Sequence, residues 1–281
     1  MIIDTHTHFY DPARPQGVPW PRPADAWIYR TVLPAHYRAL AEPLGVSGTV
    51  VVEASPWLED NQWLLDVVRE EPFVLGVIGN LDPRSADFGA NLERFARDPL
   101  FRGIRCGGAL VTGAEGSAVR PQLADLARRG LTLDLQAGMP HLAAVADLAR
   151  ALPTLRIVVN HLGLVAIDGG RPDGEWTRAV QTLAALPSVF MKVSAFQELS
   201  RIQPAPVALS YYEPVLDVVW EAFGADRLLF GSDWPVSARS GTLAAGLDLC
   251  RDYVARHGEA ALQAVLGQTA CRAYGIAGPP A

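Results

Sequence analysis

No stretch of this chain approaches the roughly 20 consecutive apolar residues that cross a bilayer. Met1 leads through Ile2 and Ile3 straight into Asp4, without the basic start and apolar core of an export signal. Both absences predict a cytoplasmic protein with no membrane partner. Cysteine is scarce too: Cys106, Cys250 and Cys271 are an odd three with no Cys-x-x-Cys spacing, which excludes a disulfide scaffold and fits packed thiols in a reducing compartment. Positive charge is short, with 24 Lys and Arg against 30 Asp and Glu and a net charge of -6. Binding through clustered phosphate contacts is driven by Lys and Arg, so nucleic acid is not an expected partner. Neither a solenoid-period repeat nor a low-complexity tract is found.

What the chain does have is apolar material, 49% hydrophobic residues against 19% charged over 281 residues. That supports one large core, and the length is close to the roughly 250 residues typical of a closed β/α barrel. Eight short, β-branched runs recur, bounded by turn residues: Ile2 to Thr5, Gly48 to Glu53, Phe73 to Leu81, Gly103 to Arg105, Leu131 to Leu135, Arg156 to Asn160, Val189 to Val193 and Arg227 to Phe230. Helical spacing follows at Asn61 to Arg69, Gln122 to Arg129, His141 to Ala151, Trp176 to Leu186, Glu213 to Phe223 and Leu243 to His257. Pro72, Pro153 and Pro187 mark helix exits. Strand and helix in alternation predict an α/β fold, a (β/α)8 barrel forming a single domain over residues 1–281.

Three segments stand apart. Residues 12–34 hold six prolines among Trp20, Trp27 and Tyr29 and cannot form a regular helix. Following the first strand, they would cover the C-terminal face as a lid, with Trp27 and Tyr29 as candidate substrate contacts, or else hug the surface without touching substrate. Gly113 to Ser117 reads as a short flexible piece, and Gly275 to Ala281 as a frayed tail.

The strongest chemical signal is Asp4-Thr5-His6-Thr7-His8, continuing the first strand. Residues two apart on a strand project to one side, so His6 and His8 can chelate one cation, although two histidines near a terminus are also compatible with a satisfied polar cluster. Asp233, in Gly231-Ser232-Asp233-Trp234-Pro235, leaves the eighth strand, the neighbour of the first in a closed sheet, and could take a proton from water. Its structural alternative is a turn-forming residue before Trp234-Pro235. His161 ends the sixth strand in Val158-Val159-Asn160-His161-Leu162-Gly163. A lone strand-end histidine is often structural, but here it completes a His, His, His, Asp set converging on one face.

Together with Phe101-Arg102-Gly103-Ile104-Arg105, Lys192-Val193-Ser194, Asp226 to Pro235 and Gly267-Gln268-Thr269-Ala270, these motifs make the sequence resemble, over almost its whole length, the amidohydrolase superfamily in its branch of barrel-shaped lactone hydrolases. The resemblance implies an active site of His6, His8, His161 and Asp233, with Asp233 as general base. Related enzymes carry a further metal-binding histidine on the fifth strand. Here Leu131-Thr132-Leu133-Asp134-Leu135-Gln136 has none, which fits the lactonase branch and leaves two possibilities: one divalent metal, zinc first, on His6, His8 and Asp233, or catalysis without a metal. Gln136 and Trp234 are further candidates for substrate contact. Glu53, ending the second strand, could be another metal ligand or bind sugar hydroxyls, and Arg105, ending the fourth, could meet a lactone carbonyl or a substrate carboxylate. The structural alternative for both is an ion pair with each other or with a neighbour. Lys192 reads as a buried, ion-paired lysine.

The expected reaction is hydrolysis of a lactone ring, in a sugar aldonolactone or a related carboxylated lactone. His161 and Arg105 would polarise the carbonyl while Asp233 deprotonates water. The alternatives are a metal-dependent decarboxylase of the same superfamily, against which the missing fifth-strand histidine counts, and a barrel that binds a small ligand unchanged. A homo-oligomer is compatible with everything above.

Overall fold

Every one of the eight apolar runs becomes a strand in the computed structural model, which describes residues 1–278. The strands are β1 (Ile3–Thr7), β2 (Gly48–Val52), β3 (Val74–Gly79), β4 (Phe101–Gly107), β5 (Thr132–Gln136), β6 (Arg156–Val159), β7 (Val189–Val193) and β8 (Leu228–Phe230). They form one parallel sheet in sequence order. Its two outer strands meet: His8 N–H donates to Trp234 O (2.9 Å), Asp233 N–H donates to His6 O (2.8 Å) and Thr5 Oγ1 donates to Phe230 O (2.6 Å). The sheet therefore curls into a (β/α)8 barrel.

Two cores follow from strand alternation. Outward residues such as Val51, Val77, Ile104, Leu133, Val159 and Met191 join the layer between sheet and helices. Inward ones, among them Ile3, Val52, Ile78, Val158, Phe190 and Leu229, fill the lower barrel, which Ala273, Tyr274 and Ile276 plug from the N-terminal end of the strands. The crossover helices are α1 (Pro34–Ala41), α2 (Leu58–Val68), α3 (Phe88–Ala96), α4 (Gly113–Arg128), α5 (Met139–Ala151), α6 (Gly174–Ala184), α7 (Glu213–Phe223) and α8 (Leu243–Ala255). Helix α6 shows the local logic. Asp173 caps its start by accepting from the Glu175 and Trp176 amides, and Trp176, Val180, Leu183 and Ala184 form one buried stripe. No helix among the described residues is long and apolar enough to cross a membrane.

Three expectations change. Gly113 to Ser117 is no flexible piece but the first turn of α4. In the tail, Ile276 is 7% exposed and packs into the interior core, so Gly275 to Gly278 are not a simple frayed end; residues 279–281 lie outside the described part. Helices α1 and α3 were not anticipated from spacing, because one starts on Pro34 inside the proline-rich stretch and the other is only nine residues long. Residues 12–33 are irregular as expected, tied to the barrel by pairing of Tyr10 with Val32.

Asp4 is the polar joint of this frame. It is fully buried on the helix side of β1, where Oδ1 accepts from the His6 and Ser232 amides (3.0 and 2.8 Å) and Oδ2 accepts from Tyr37 of α1 (2.6 Å). Replacing it strands three donors in the interior. Asp4→Ala should lower the unfolding free energy by about 3 kcal/mol in denaturant titration, with an unchanged slope; a loss below about 1 kcal/mol would show that the joint carries little.

Candidate active site

The same alternation that fills the lower barrel sets the polar mouth above it. On β8 and beyond, Leu229 faces inward, then Gly231, then Asp233; on β7 the order is Phe190, Lys192, Ser194; on β5 it is Thr132, Asp134, Gln136. On β1 the register against β2 shifts between Asp4 and Thr7, which lets Ile3 sit in the interior core and His6 and His8 point inward above it. Gly231 is required here, since a Cβ would lie 2.9 Å from His6 Cβ.

Directly beneath the mouth lies the chain's only lysine. Lys192 is completely buried, and its ammonium group has three neighbours: Asp134 Oδ2 (2.7 Å), Thr5 O (2.9 Å) and His6 Nδ1 (3.1 Å). Tyr274 OH, from the plug, donates to the same Asp134 carboxylate (3.2 Å). The expected buried ion pair is thus present, and Asp134 faces inward. Burial pushes Lys192 down and Asp134 up, with their mutual attraction opposing both shifts.

Above this layer the four residues singled out from separate stretches meet. Asp233 Oδ1 lies 3.3 Å from His8 Nε2, 3.4 Å from His6 Nε2 and 4.0 Å from His161 Nε2. His8 is held by its other nitrogen against Val52 O (2.9 Å), and His161 by Ser194 Oγ (2.9 Å). Burial drives His6 well below the usual imidazole range, helped by Lys192, and takes His161 down to about 4. Both rings are neutral at pH 7. Burial alone would raise Asp233, but His161, His8 and Arg105 outweigh it and hold the carboxyl below its ordinary value. The cluster is an ionised carboxylate ringed by imidazoles.

This placement costs backbone strain. The non-glycine residues with positive φ among those described are His161, Leu162, Leu164, Ala195 and Asp233, all just past the ends of β6, β7 and β8. Left-handed geometry disfavours side-chain-bearing residues by about 1 kcal/mol or more each. The turn at 161–164 is held in place by buried Leu162 and by Trp176 Nε1 donating to Leu162 O (3.2 Å).

Across the mouth, Arg105 Nε donates to Glu53 Oε1 (2.8 Å) and Nη2 to Glu53 O (3.1 Å), and the Ser55 amide donates to Glu53 Oε2 (2.8 Å). The pair is therefore mutual, and both partners still line a cavity of about 400 Å3 together with His8, His161, Asp233 and Gln136. Glu53 lies outside the group that could share a cation, which is His6, His8 and Asp233. Trp27 is 67% exposed and Tyr29 half-buried, and neither lines the cavity; Trp234 is buried against Tyr37 on the helix side, ring centroids 5.2 Å apart. The aromatic wall is Trp20 instead, edge-on to His8 at 5.7 Å. Nothing in the sequence separates Trp20 from Trp27 in the same proline-rich loop. Asn80 and Ser194 were likewise not singled out; strand alternation places both at strand ends facing inward.

The donor set fits a divalent cation. His6, His8 and Asp233 each offer an atom within 4.8 Å of the others, and His6 Nε2 is buried with no hydrogen-bond partner. A lone pair on Nε2 puts the ring hydrogen on Nδ1, where Lys192 Nζ is the neighbour. Loading the site is thereby coupled to the proton on Lys192.

Comparison with known proteins places this geometry. A family profile described as amidohydrolase matches residues 3–276. An L-fucono-1,5-lactonase of Burkholderia ambifaria is 37% identical over 99% of this chain and 96% of its own, and one of Burkholderia multivorans is 30% identical over 99% and 97%. A solved amidohydrolase from Burkholderia multivorans with bound zinc superposes with a TM-score of 0.85 at 25% identity, covering 99% of this chain and all of that one.

Calorimetric titration of zinc into metal-stripped protein at neutral pH should show one ion per chain and, from buffers of different ionisation enthalpy, release of about one proton. His6→Ala should abolish the binding. Uptake unaffected by that change would place the cation elsewhere.

Proposed function

The chain belongs to the amidohydrolase family, and from that premise we propose that it opens the ring of a neutral sugar lactone by attack of water. The observation that carries this reading is the buried, ionised Asp233 between His6, His8 and His161, facing Arg105 across one cavity. Full-length likeness to L-fucono-1,5-lactonases supports it. Charge favours a neutral substrate over a carboxylated one. The only guanidinium lining the cavity, Arg105, is already paired with Glu53, and no lysine joins it among the described residues, so substrate carboxylates would find no free cation.

In this mechanism the lactone carbonyl lies between Arg105 and His161, whose N–H groups stabilise charge growing on the oxygen. Asp233 holds a water against the carbonyl carbon and takes its proton as the new carbon–oxygen bond forms. Collapse of the tetrahedral adduct breaks the bond to the ring oxygen, and Asp233 returns the proton to that oxygen. The product is a hydroxy acid, which ionises and releases one proton per turnover. A divalent cation held by His6, His8 and Asp233 would add Lewis-acid polarisation. Trp20, from the irregular 12–33 segment, lines the cavity beside His8 and would limit the access of bulk water on that side.

Asp233→Asn keeps shape and removes the base, so kcat should fall about a thousandfold while folding is retained; a variant with full rate would end the assignment. Both Asp233 and His161 act deprotonated. On their account kcat/KM should stay level from neutrality to about pH 5 and fall only as pH drops through about 4. An acid limb centred near 6.5, the ordinary imidazole value, would contradict it.

A further inference from the structure

The cavity does not end at the Glu53–Arg105 pair. A second compartment of about 450 Å3 continues on its far side, over the ends of β3 and β4, and shares Glu53, Pro56, Asn80, Arg105 and Gln136 with the first. Small-molecule pockets begin at about 300 Å3, so the first compartment alone accommodates the lactone of one sugar. We propose that the second compartment is a binding subsite for a neutral, polyhydroxylated substituent on that lactone, a glycosyl group. The inference rests on the lactonase reading and extends it to a substrate class.

Charge and surface chemistry select that substituent. Arg84 is clasped by Asp82 (2.8 and 2.9 Å) and Glu115 (3.0 Å), as Arg105 is by Glu53, so neither guanidinium is left uncompensated. Three carboxylates face two guanidinium groups along this wall, a balance that disfavours a phosphate or carboxylate. Asn80 and Gln136 offer amide groups for hydroxyls, while Ala109 and Leu110 offer apolar surface that the C–H face of a pyranose covers.

The space is also kept open by a residue that the backbone does not need. Gly107, at the end of β4, lines this compartment; its φ of -75° and ψ of 149° suit any residue, and an added Cβ would meet nothing within 4 Å. Any larger side chain there would project into the compartment without straining the chain.

The test compares three lactones on the intact protein: an aldonolactone of one sugar, the same lactone carrying a glycosyl group, and its phosphate ester. The glycosylated lactone should show about a tenfold higher kcat/KM than its parent, mostly through KM, and the phosphate ester should be poorer than the parent. Gly107→Phe should erase the glycosyl advantage and leave the parent's rate unchanged, with Gly107→Leu giving a smaller loss in the same direction. The parent's rate doubles as the check that each variant is folded. Should the parent be hydrolysed but the glycosylated lactone be slower in the unaltered protein, or should neither variant discriminate, the subsite is wrong and the lactonase reading survives. Should no lactone be hydrolysed, the lactonase reading itself fails and the subsite falls with it.

Discussion

A parallel sheet becomes a barrel only if its first strand finds its last, and here that ladder is short and falls at the C-terminal rim. The two backbone bonds that make it, His8 N–H to Trp234 O and Asp233 N–H to His6 O, are formed by the residues whose side chains build the proposed site or stand next to it. Closure and site assembly are therefore one event. Each such bond contributes only about 1 kcal/mol net, so the seam relies on Asp4 clamping the Ser232 and His6 amides from the helix side, and on the bare Cα of Gly231 letting β8 approach β1. The superficially ordinary start of the chain, Asp4-Thr5-His6-Thr7-His8, thus alternates between structural and chemical duty: Asp4 and Thr7 face the frame, His6 and His8 the mouth.

Polar groups in a barrel interior are expensive unless each finds a partner. This chain stacks them. Tyr274 binds Asp134, Asp134 binds Lys192, and Lys192 reaches His6, which stands beside Asp233. The stack connects the plug at one end of the barrel to the carboxylate at the other. The residues with left-handed backbone conformation lie beside it, past the ends of β6, β7 and β8, where packing from Leu162 and Trp176 holds them. Stability is given up locally in order to aim His161 and Asp233 at one point.

Much of this was legible in the amino-acid order. The eight strands could be read because parallel strands, buried on both faces, are written as unbroken β-branched runs, and the convergence of His6, His8, His161 and Asp233 followed from their positions at strand ends. Less could be read where tertiary context decides. Helices α1 and α3 are only eight and nine residues long, little more than two turns in which to read a spacing, and Gly113 to Ser117 looked flexible by composition although it begins α4. Trp20 and Trp27 share one irregular segment whose path depends on what it packs against, so the aromatic wall could not be assigned to either. Whether Glu53 and Arg105 pair with each other or stand open to the mouth could not be read from the sequence; they pair and still line the cavity, a combination that spacing along a strand cannot express.

All of this geometry serves one claim, that the closed seam aims Asp233 at a water molecule and not at the substrate carbon. A single turnover of a neutral aldonolactone in heavy-oxygen water tests it directly, with mass spectrometry of both the product and the Asp233 peptide. One heavy oxygen is expected in the product carboxylate and none in Asp233. Label in the Asp233 carboxyl, or on the released ring hydroxyl, would contradict it.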